Sequence, residues 1–276
     1  MARSAKDIRI APIAAKDARR IVTRLHYSGK VVNNSQLHLG VFLDGQCKGA
    51  LSFGPPLDKR KVLGLVEGTG WNEMLELNRM ALADDLPRNG ESRALAVSMR
   101  LLRKHAPHIK WVLSFADGTQ CGDGTIYRAA GFVLTGIKKN TQIWEAPTGA
   151  KFSRTSLTDG RSRGEQARAT RIARTSYEKS AHILDTGGAS MKKYREAGFR
   201  PLPGYQFRYI YFIDRTYRDR LTVPVIPFDK IPPEARMYRG QRLHDSASEG
   251  EESSRPATSG EEGGASPTPA LQHNEA

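Results

Sequence analysis

Cysteine is nearly absent from this sequence: Cys47 and Cys121 are the whole complement in 276 residues. Two thiols make no disulfide framework and fall short of a cysteine-based zinc site, so a reducing compartment is expected. Long apolar runs are missing too. No stretch approaches the roughly 20 residues needed to span a bilayer, and no membrane role is expected. The opening MARSAKDIRIAPIAAKD lacks the apolar core of a secretory signal, so the protein is expected to stay in the cell that makes it. Apolar side chains are sparse in general, 38% of residues with a mean hydropathy of −0.53. Part of the chain is therefore expected to lie outside any packed core. The length suits one large domain or two small ones.

Acid is scarce everywhere but at one end. The formal charge of +14 divides into −6 over residues 244–276 and therefore +20 over residues 1–243. A body that basic suggests a polyanionic partner, most simply nucleic acid. A basic, merely well-solvated surface is the bland alternative. Residues 151–179 hold eight Lys or Arg against three acids, with Arg168, Arg171 and Arg174 at helical spacing. Residues 244–276 are Gly, Ser, Pro and Glu with almost no apolar anchors and are expected to be disordered.

Residues 7–13 (DIRIAPI) alternate and predict a first strand, at a sheet edge because Pro12 removes a ladder donor. Residues 15–26 predict a helix with Ala18, Ile21, Val22 and Leu25 on one face, broken at Gly29. Two apolar runs around Asp44-Gly45 predict a β-hairpin, with Gly49 and Gly54 marking a thinned or bulged strand. Residues 55–73 read as a loop, mobile or facing substrate.

Residues 74–132 organise the rest. MLELNRMAL predicts a strand, and RNGESR a loop opening a helix with apolar positions at Ala94, Val97, Met99, Leu101 and Leu102. WVLSFAD predicts a buried strand, and GTIYRAAGF a short helix turning into another strand. VLTGIKKNTQIWEA continues as a hairpin-like strand. Tyr194-Arg195-x-Ala197-Gly198-Phe199 echoes Tyr127-Arg128-x-Ala130-Gly131-Phe132 and predicts a second helix-to-strand turn, not a repeat architecture. Residues 209–213 predict a final strand. The organisation expected is one α/β domain over residues 1–217 with a basic insertion at about 151–190, a Pro-rich extension over 218–243 and the acidic tail.

The loop Arg88-Asn89-Gly90-Glu91-Ser92-Arg93 has the chemistry of a phosphate site. A helix N-terminus offers unpaired N–H groups and a positive dipole end, Gly90 permits close backbone approach, and the arginines can pair with pyrophosphate. Many loops before helices contain glycine, so the loop alone is a weak signal. Other polar residues sit oddly for plain structure, each with a bland reading beside it. His26 is a helix-terminal cation or a site residue. Asp117 is the N-cap of the next helix or a ligand-facing carboxylate beyond the end of a strand. Arg79 is an outward strand residue paired with Glu76, or a binding group. Tyr127 is core packing or a site wall. His38 is read as structural.

Strand, phosphate-type loop, helix, strand and helix in this order resemble the GNAT acyltransferases, with Arg93 standing where their loop has a small residue. That implies a GNAT-like α/β (α+β) fold, a mixed, mostly antiparallel central sheet flanked by helices, and acetyl-coenzyme A as cofactor, held through Arg88, Asn89, Gly90 and Ser92. LHYSGKVVNNSQLHLGVFLDG, LELNRMAL, SFADG and RYIYF further resemble the Mom family of Mu-like phages. The resemblance implies a GNAT-like transferase, acting in the host cytoplasm, that converts adenine N6 in double-stranded phage DNA to an N6-methylcarbamoyl (acetamido) form and so protects it from restriction. It points to His26, Tyr27, Asp117 and the adjacent Ser114 as catalytic, and to Arg79 and Tyr127 as cofactor-binding. It also implies iron, for which His26, Tyr27 and Asp117 are a plausible nitrogen and oxygen ligand set. A flipped base needs aromatic walls, which Tyr27, Tyr127 and Trp71 can supply. Arg168, Arg171, Arg174 and Arg195 can hold the DNA backbone. A homodimer stays open, as do an ordinary coenzyme A-dependent N-acetyltransferase and a non-catalytic DNA-binding protein.

Overall fold

A computed structural model describes residues 4–26, 28–119, 121–158, 190–238 and 241–242. Seven strands form the main sheet: β1 (Arg9–Pro12), β2 (Leu37–Leu43), β3 (Gln46–Gly54), β4 (Met74–Leu82), β5 (Trp111–Asp117), β6 (Val133–Lys139) and β10 (Tyr205–Phe212). Their order is β1-β2-β3-β4-β5-β10-β6. Every neighbouring pair is antiparallel except β4 with β5. The fold is thus mixed α/β with a mostly antiparallel sheet.

Local chemistry explains most of the elements. Asp44 and Gly45 both have positive φ, 51° and 75°, as the tight turn joining β2 to β3 requires. Pro12 lies on the edge strand, where a lost donor costs least. Helix α1 (Ala15–Leu25) buries Ala18, Ile21 and Val22 against Ala50 and Ala81. A short helix, α2 (Lys59–Leu63), lies inside the stretch expected to be loop. Helix α3 (Gly90–His105) buries Ala94, Leu95, Ser98, Met99 and Leu102, so Val97 and Leu101, expected to face the core, are only half-buried. Ser98 is tolerated there because its hydroxyl donates to the Ala94 carbonyl at 2.8 Å.

The two sheet faces carry different layers. α3 and α4 (Thr125–Ala129) cover Leu51, Phe53, Leu77, Val112 and Ala116. α1 covers Ala50 and Ala81 on the other face, and Leu65, Val66 and Tyr217 cover Met74, Trp111 and Leu113 on that face too. Residues beyond the last main strand fold back over the sheet. The Ile226 N–H donates to the Leu134 carbonyl at 2.8 Å, Ile231 and Ala235 are buried in the main core, and Phe228 lies under the Arg128 guanidinium at 3.3 Å.

β6 is followed by Asn140, whose side chain makes the corner. Its NH₂ donates to the Ile143 and Leu202 carbonyls, and its oxygen accepts from the Gln142 and Ile143 N–H groups. The expected continuous hairpin strand is therefore two strands. The second, β7 (Ile143–Glu145), joins a separate sheet of order β8-β7-β9 with β8 (Lys151–Ser153) and β9 (Arg200–Pro201). Helices α5 (Arg154–Thr158) and α6 (Met191–Glu196) complete that layer. The echoed sequence is one local device used twice. After α4, Phe132 N–H donates to the Tyr127 carbonyl, Gly131 has φ 92°, and the two rings meet edge to face. After α6, Phe199, Tyr194 and Gly198 (φ 85°) repeat this. Only glycine takes that left-handed position without strain. Among the described residues no helix is long and apolar enough to cross a membrane.

Candidate active site

β4 and β5 run side by side for three residue pairs only, Met74 with Trp111, Leu75 with Val112 and Glu76 with Leu113. β4 then continues to Leu82 bonded to β3, and β5 to Asp117 bonded to β10. The strands part beyond Glu76 and leave a cleft with that residue at its apex.

Strand alternation distributes the polar groups over the two faces. Leu113, Phe115 and Asp117 share the α1 face of β5, where Glu76 and Arg79 also lie on β4. Val112, Ser114 and Ala116 share the α3–α4 face. A shift in the β3–β4 register at Ser52/Phe53 brings Arg79 onto the α1 side.

His26 caps α1: its N–H donates to the Val22 carbonyl, and its Nδ1 lies 2.8 Å from Ser28 Oγ. Burial pushes its pKa down to about 4; nearby Arg79 adds to this and Asp117 opposes it. The ring is thus a neutral base at pH 7, and the helix-terminal cation reading does not hold. Arg79 donates from Nε to the Lys30 carbonyl at 2.9 Å and from Nη1 to the Asn78 carbonyl at 2.7 Å, tying the 28–32 loop across the strand. One carboxylate oxygen of Asp117 accepts from Thr119 N–H, the Thr119 hydroxyl and the Gln206 amide, at 3.0, 2.6 and 2.7 Å. Asp117 caps no helix, since Gly124 stands at the N-cap of α4.

Glu76 carries no sequence signal beyond that of an ion-pair partner, except that it is an acid inside the apolar run MLELNRMAL. Burial raises its carboxyl to about 7, against the hydrogen bond of Asn78 and the charge of Arg79. A carboxyl poised between protonated and ionised at neutral pH is suited to proton transfer. Phe115 has no sequence signal at all, yet it is 45% exposed in mid-strand beside Asp117.

On the opposite face Ser114 is fully buried and its hydroxyl lacks a full hydrogen bond. It lies near enough to Tyr127 to oppose the burial that pushes that phenol up to about 12. The Tyr127 ring stacks on Tyr209 at 5.1 Å and is sealed in the core, so it is no wall for a flipped base. The pre-helix loop has less to offer a phosphate than expected. Gly90 N–H is taken by the Pro87 carbonyl and the Ser92 hydroxyl by the Asn89 carbonyl. Gly90 is small because Leu86 and Ile8 pack against it: a Cβ at that position would stand 3.1 and 3.2 Å from their side chains. Arg88 and Asn89 are both exposed.

Tyr27, Arg168, Arg171 and Arg174 lie outside the described residues. Arg195 is exposed on α6, 5.4 Å above the Trp144 ring. Among the described residues no three of His, Cys, Asp and Glu gather as a metal group. Of the expected iron ligands, His26 and Asp117 are within electrostatic reach of each other. Tyr27, the third of them, lies outside the described residues, and no step is built on iron.

The sequence pattern of the Mom protein family matches residues 7–230. A curated relative, the protein named methylcarbamoylase mom of Escherichia phage Mu, is 41% identical over 137 residues, 49% of this chain and 56% of that protein. The chain thus spans little more than half the length of that relative. Among solved structures, a GNAT family acetyltransferase from Elizabethkingia anophelis with acetyl-CoA bound has a TM-score of 0.34 at 17% identity, covering 49% of this chain and 82% of its own. A tandem GNAT protein from the clavulanic acid biosynthesis pathway has a TM-score of 0.41 at 11% identity, covering 75% and 98%. Scores of this size leave the architecture to the strand order and register given above. The family pattern, in contrast, spans both walls of the cleft and the helix that ends in His26, and the chain belongs to the Mom protein family.

Proposed function

We propose that this protein is a transferase that modifies adenine in phage DNA at N6, leaving an acetamido (methylcarbamoyl) group that shields the DNA from host restriction in the host cytoplasm. Family membership and the name of the Mu relative support the reaction class. The observation that carries the reading is the gathering of Glu76, Arg79, Asp117 and neutral His26 on one side of two parted strands.

Adenine N6 is a weak nucleophile because its lone pair is delocalised into the ring. It must lose a proton as the new bond forms, and it must leave the stack to be reached. Glu76, partly ionised at neutral pH, and His26, neutral, are the groups able to take that proton. Asp117 lies on the same face, its carboxylate fixed by Thr119 and Gln206. Phe115 offers the exposed ring on which a flipped base can stack. Arg79 supplies positive charge for an anionic donor group. At the start of α3, Arg88, Asn89, Gly90 and Ser92 would flank the rest of the donor, with Ser114 and Tyr127 packed beneath. Acetyl-coenzyme A, when bound, would bring a two-carbon unit there; bonding through its methyl carbon would draw on a two-electron oxidant, and the carboxamide on an ammonia-level nitrogen that displaces the thiol, both as co-reactants. Arg195, with Arg168, Arg171 and Arg174, would hold phosphates without reading sequence.

Expression of the protein with DNA, digestion to nucleosides and mass spectrometry tests this. An adenosine carrying an added acetamido group is expected, and unmodified adenosine from soluble, iron-replete protein sinks the reading. Asp117→Asn should abolish the mark while DNA binding and its salt dependence persist. A second reading, ordinary acyl transfer to an amine, draws on Ser114, whose buried hydroxyl has no full hydrogen-bond partner. Acetylated protein or small-molecule amine, with unchanged nucleosides, would select it.

A further inference from the structure

Exposed apolar side chains concentrate near the start of β4. Leu57 is 90% and Trp71 55% exposed, and both line an open groove of about 790 Å³. The loop that presents Trp71 is not slack. Val66 is fully buried and bridges to Leu221. The Thr69 hydroxyl donates to the Val66 carbonyl and accepts from the Trp111 indole N–H. The Glu73 carboxylate accepts from Gly70 N–H and from the Tyr217 hydroxyl. A loop tied at so many points holds the indole outward rather than leaving it there by slackness.

The groove's charge is one-sided. Lys59 stands 4.5 Å above the Trp71 ring, and Arg60 lines the same wall. Asp58, the one carboxylate in the lining, caps α2 and pairs with Lys61 at 2.8 Å. His108 forms the facing wall, just past Arg103, Lys104 and His105 in the last turn of α3. Pro55 makes the lip and is pinned by the Asn34 amide at 2.7 Å. The floor leads to the cleft: Leu75 lines it and precedes Glu76, and Gly54, next to Pro55, pairs with Glu76.

We infer that this groove holds a single-stranded segment of nucleic acid, with one base stacked on Trp71 and the adjoining phosphates on Lys59 and Arg60. A cation interleaved with an outward-facing ring is what sequence-tolerant strand binding needs, since every base has a π-face and every nucleotide a phosphate. Only an unstacked base can lie flat on such a ring, and extruding an adenine opens one. The inference rests on DNA being the substrate and adds where the strand beside the target adenine lies. An acidic peptide would match the charge but has no use for the indole face.

The test uses the full chain and a fluorescently labelled 12-nucleotide DNA with no adenine, so that binding is read without the reaction. By anisotropy, Trp71→Ala should weaken binding between about five- and about a hundredfold, the range expected for one stacked base, while Trp71→Phe retains most of it. Lys59→Gln with Arg60→Gln should reduce the slope of log K against log salt by about 1.4, the loss of two single-strand phosphate contacts. Unchanged binding in Trp71→Ala overturns the inference. So does polyglutamate that displaces the oligonucleotide while Trp71→Ala leaves its own binding unchanged. Wild-type binding that depends on Trp71, from protein that never marks adenosine, keeps the groove and removes the reaction instead.

Discussion

Glu76 separates function from stability at a single side chain. Its pKa is raised to about 7 in the folded protein from an ordinary 4.5. The stability it contributes is therefore fully present below about pH 4.5 and is lost as pH rises through 7, up to about 3 kcal/mol. Glu76→Gln should cut adenine modification by about a hundredfold or more and yet, in urea titrations, unfold later than wild type at pH 8 and equally at pH 4. Earlier unfolding at pH 8 would show that the ionised carboxylate is satisfied where it lies. Wild-type modification should rise with pH through a midpoint of about 7. His26 runs the other way: its pKa of about 4 means stability present above 6.5 and lost as pH falls. Between pH 4.5 and 6.5 the two slopes oppose, so wild-type stability should be nearly level there, and Glu76→Gln should show a stability that rises with pH. Part of this is legible in the sequence. His26, Arg79 and Asp117 stand out as polar groups in apolar surroundings. Glu76 does not, because an acid in an alternating strand reads as solvent-facing, and nothing local says which face will be covered. Phe115 escapes for the converse reason, since an aromatic in a strand reads as core.

Elements whose cause is local can be read from the sequence, and their mutual placement cannot. The Asp44-Gly45 hairpin, α1 and the two Tyr-x-x-x-Gly-Phe turns follow from a handful of neighbouring residues. The sheet order does not, because β10 enters between β5 and β6 from far along the chain, and such pairing leaves no mark on either strand. The start of α3 shows the same limit: a glycine before a helix looks like a phosphate loop, and packing against Ile8 and Leu86 is invisible until β1 is placed. Glycines at the ends of α4 give a graded test. Gly131 has φ 92° with room beside it, the nearest atom being Tyr211 Cε2 at 3.5 Å. Gly131→Ala should cost about 1 kcal/mol, a few degrees in Tm. Gly124 has φ 87° and a Cβ there would run into the Tyr209 ring, whose hydroxyl donates to the Asp123 carbonyl. Gly124→Ala should lower Tm clearly further, and the reverse order would mean that α4 shifts freely.

At the scale of the whole molecule, the Pro-rich stretch after β10 belongs to the packing of the main sheet. Ile231 and Ala235 sit in the main core, Phe228 packs against it, and Ile226 bonds to β6. Truncation after residue 217 should therefore lower Tm by well over ten degrees, or leave the protein insoluble, and a thermal scan that matches the full chain would refute this. The parted strands have a mechanical consequence as well. Four strands lie on one side of the β4–β5 seam and three on the other, and the ladder between them is three residue pairs long. Pulled from opposite edges, the sheet has a built-in tear line. The chain itself bridges it through α3, which follows β4 in one half and leads into β5 in the other. Glu76 and Arg79 stand on one lip of that line and Asp117 on the other, so whatever tightens α3 sets the gap between them.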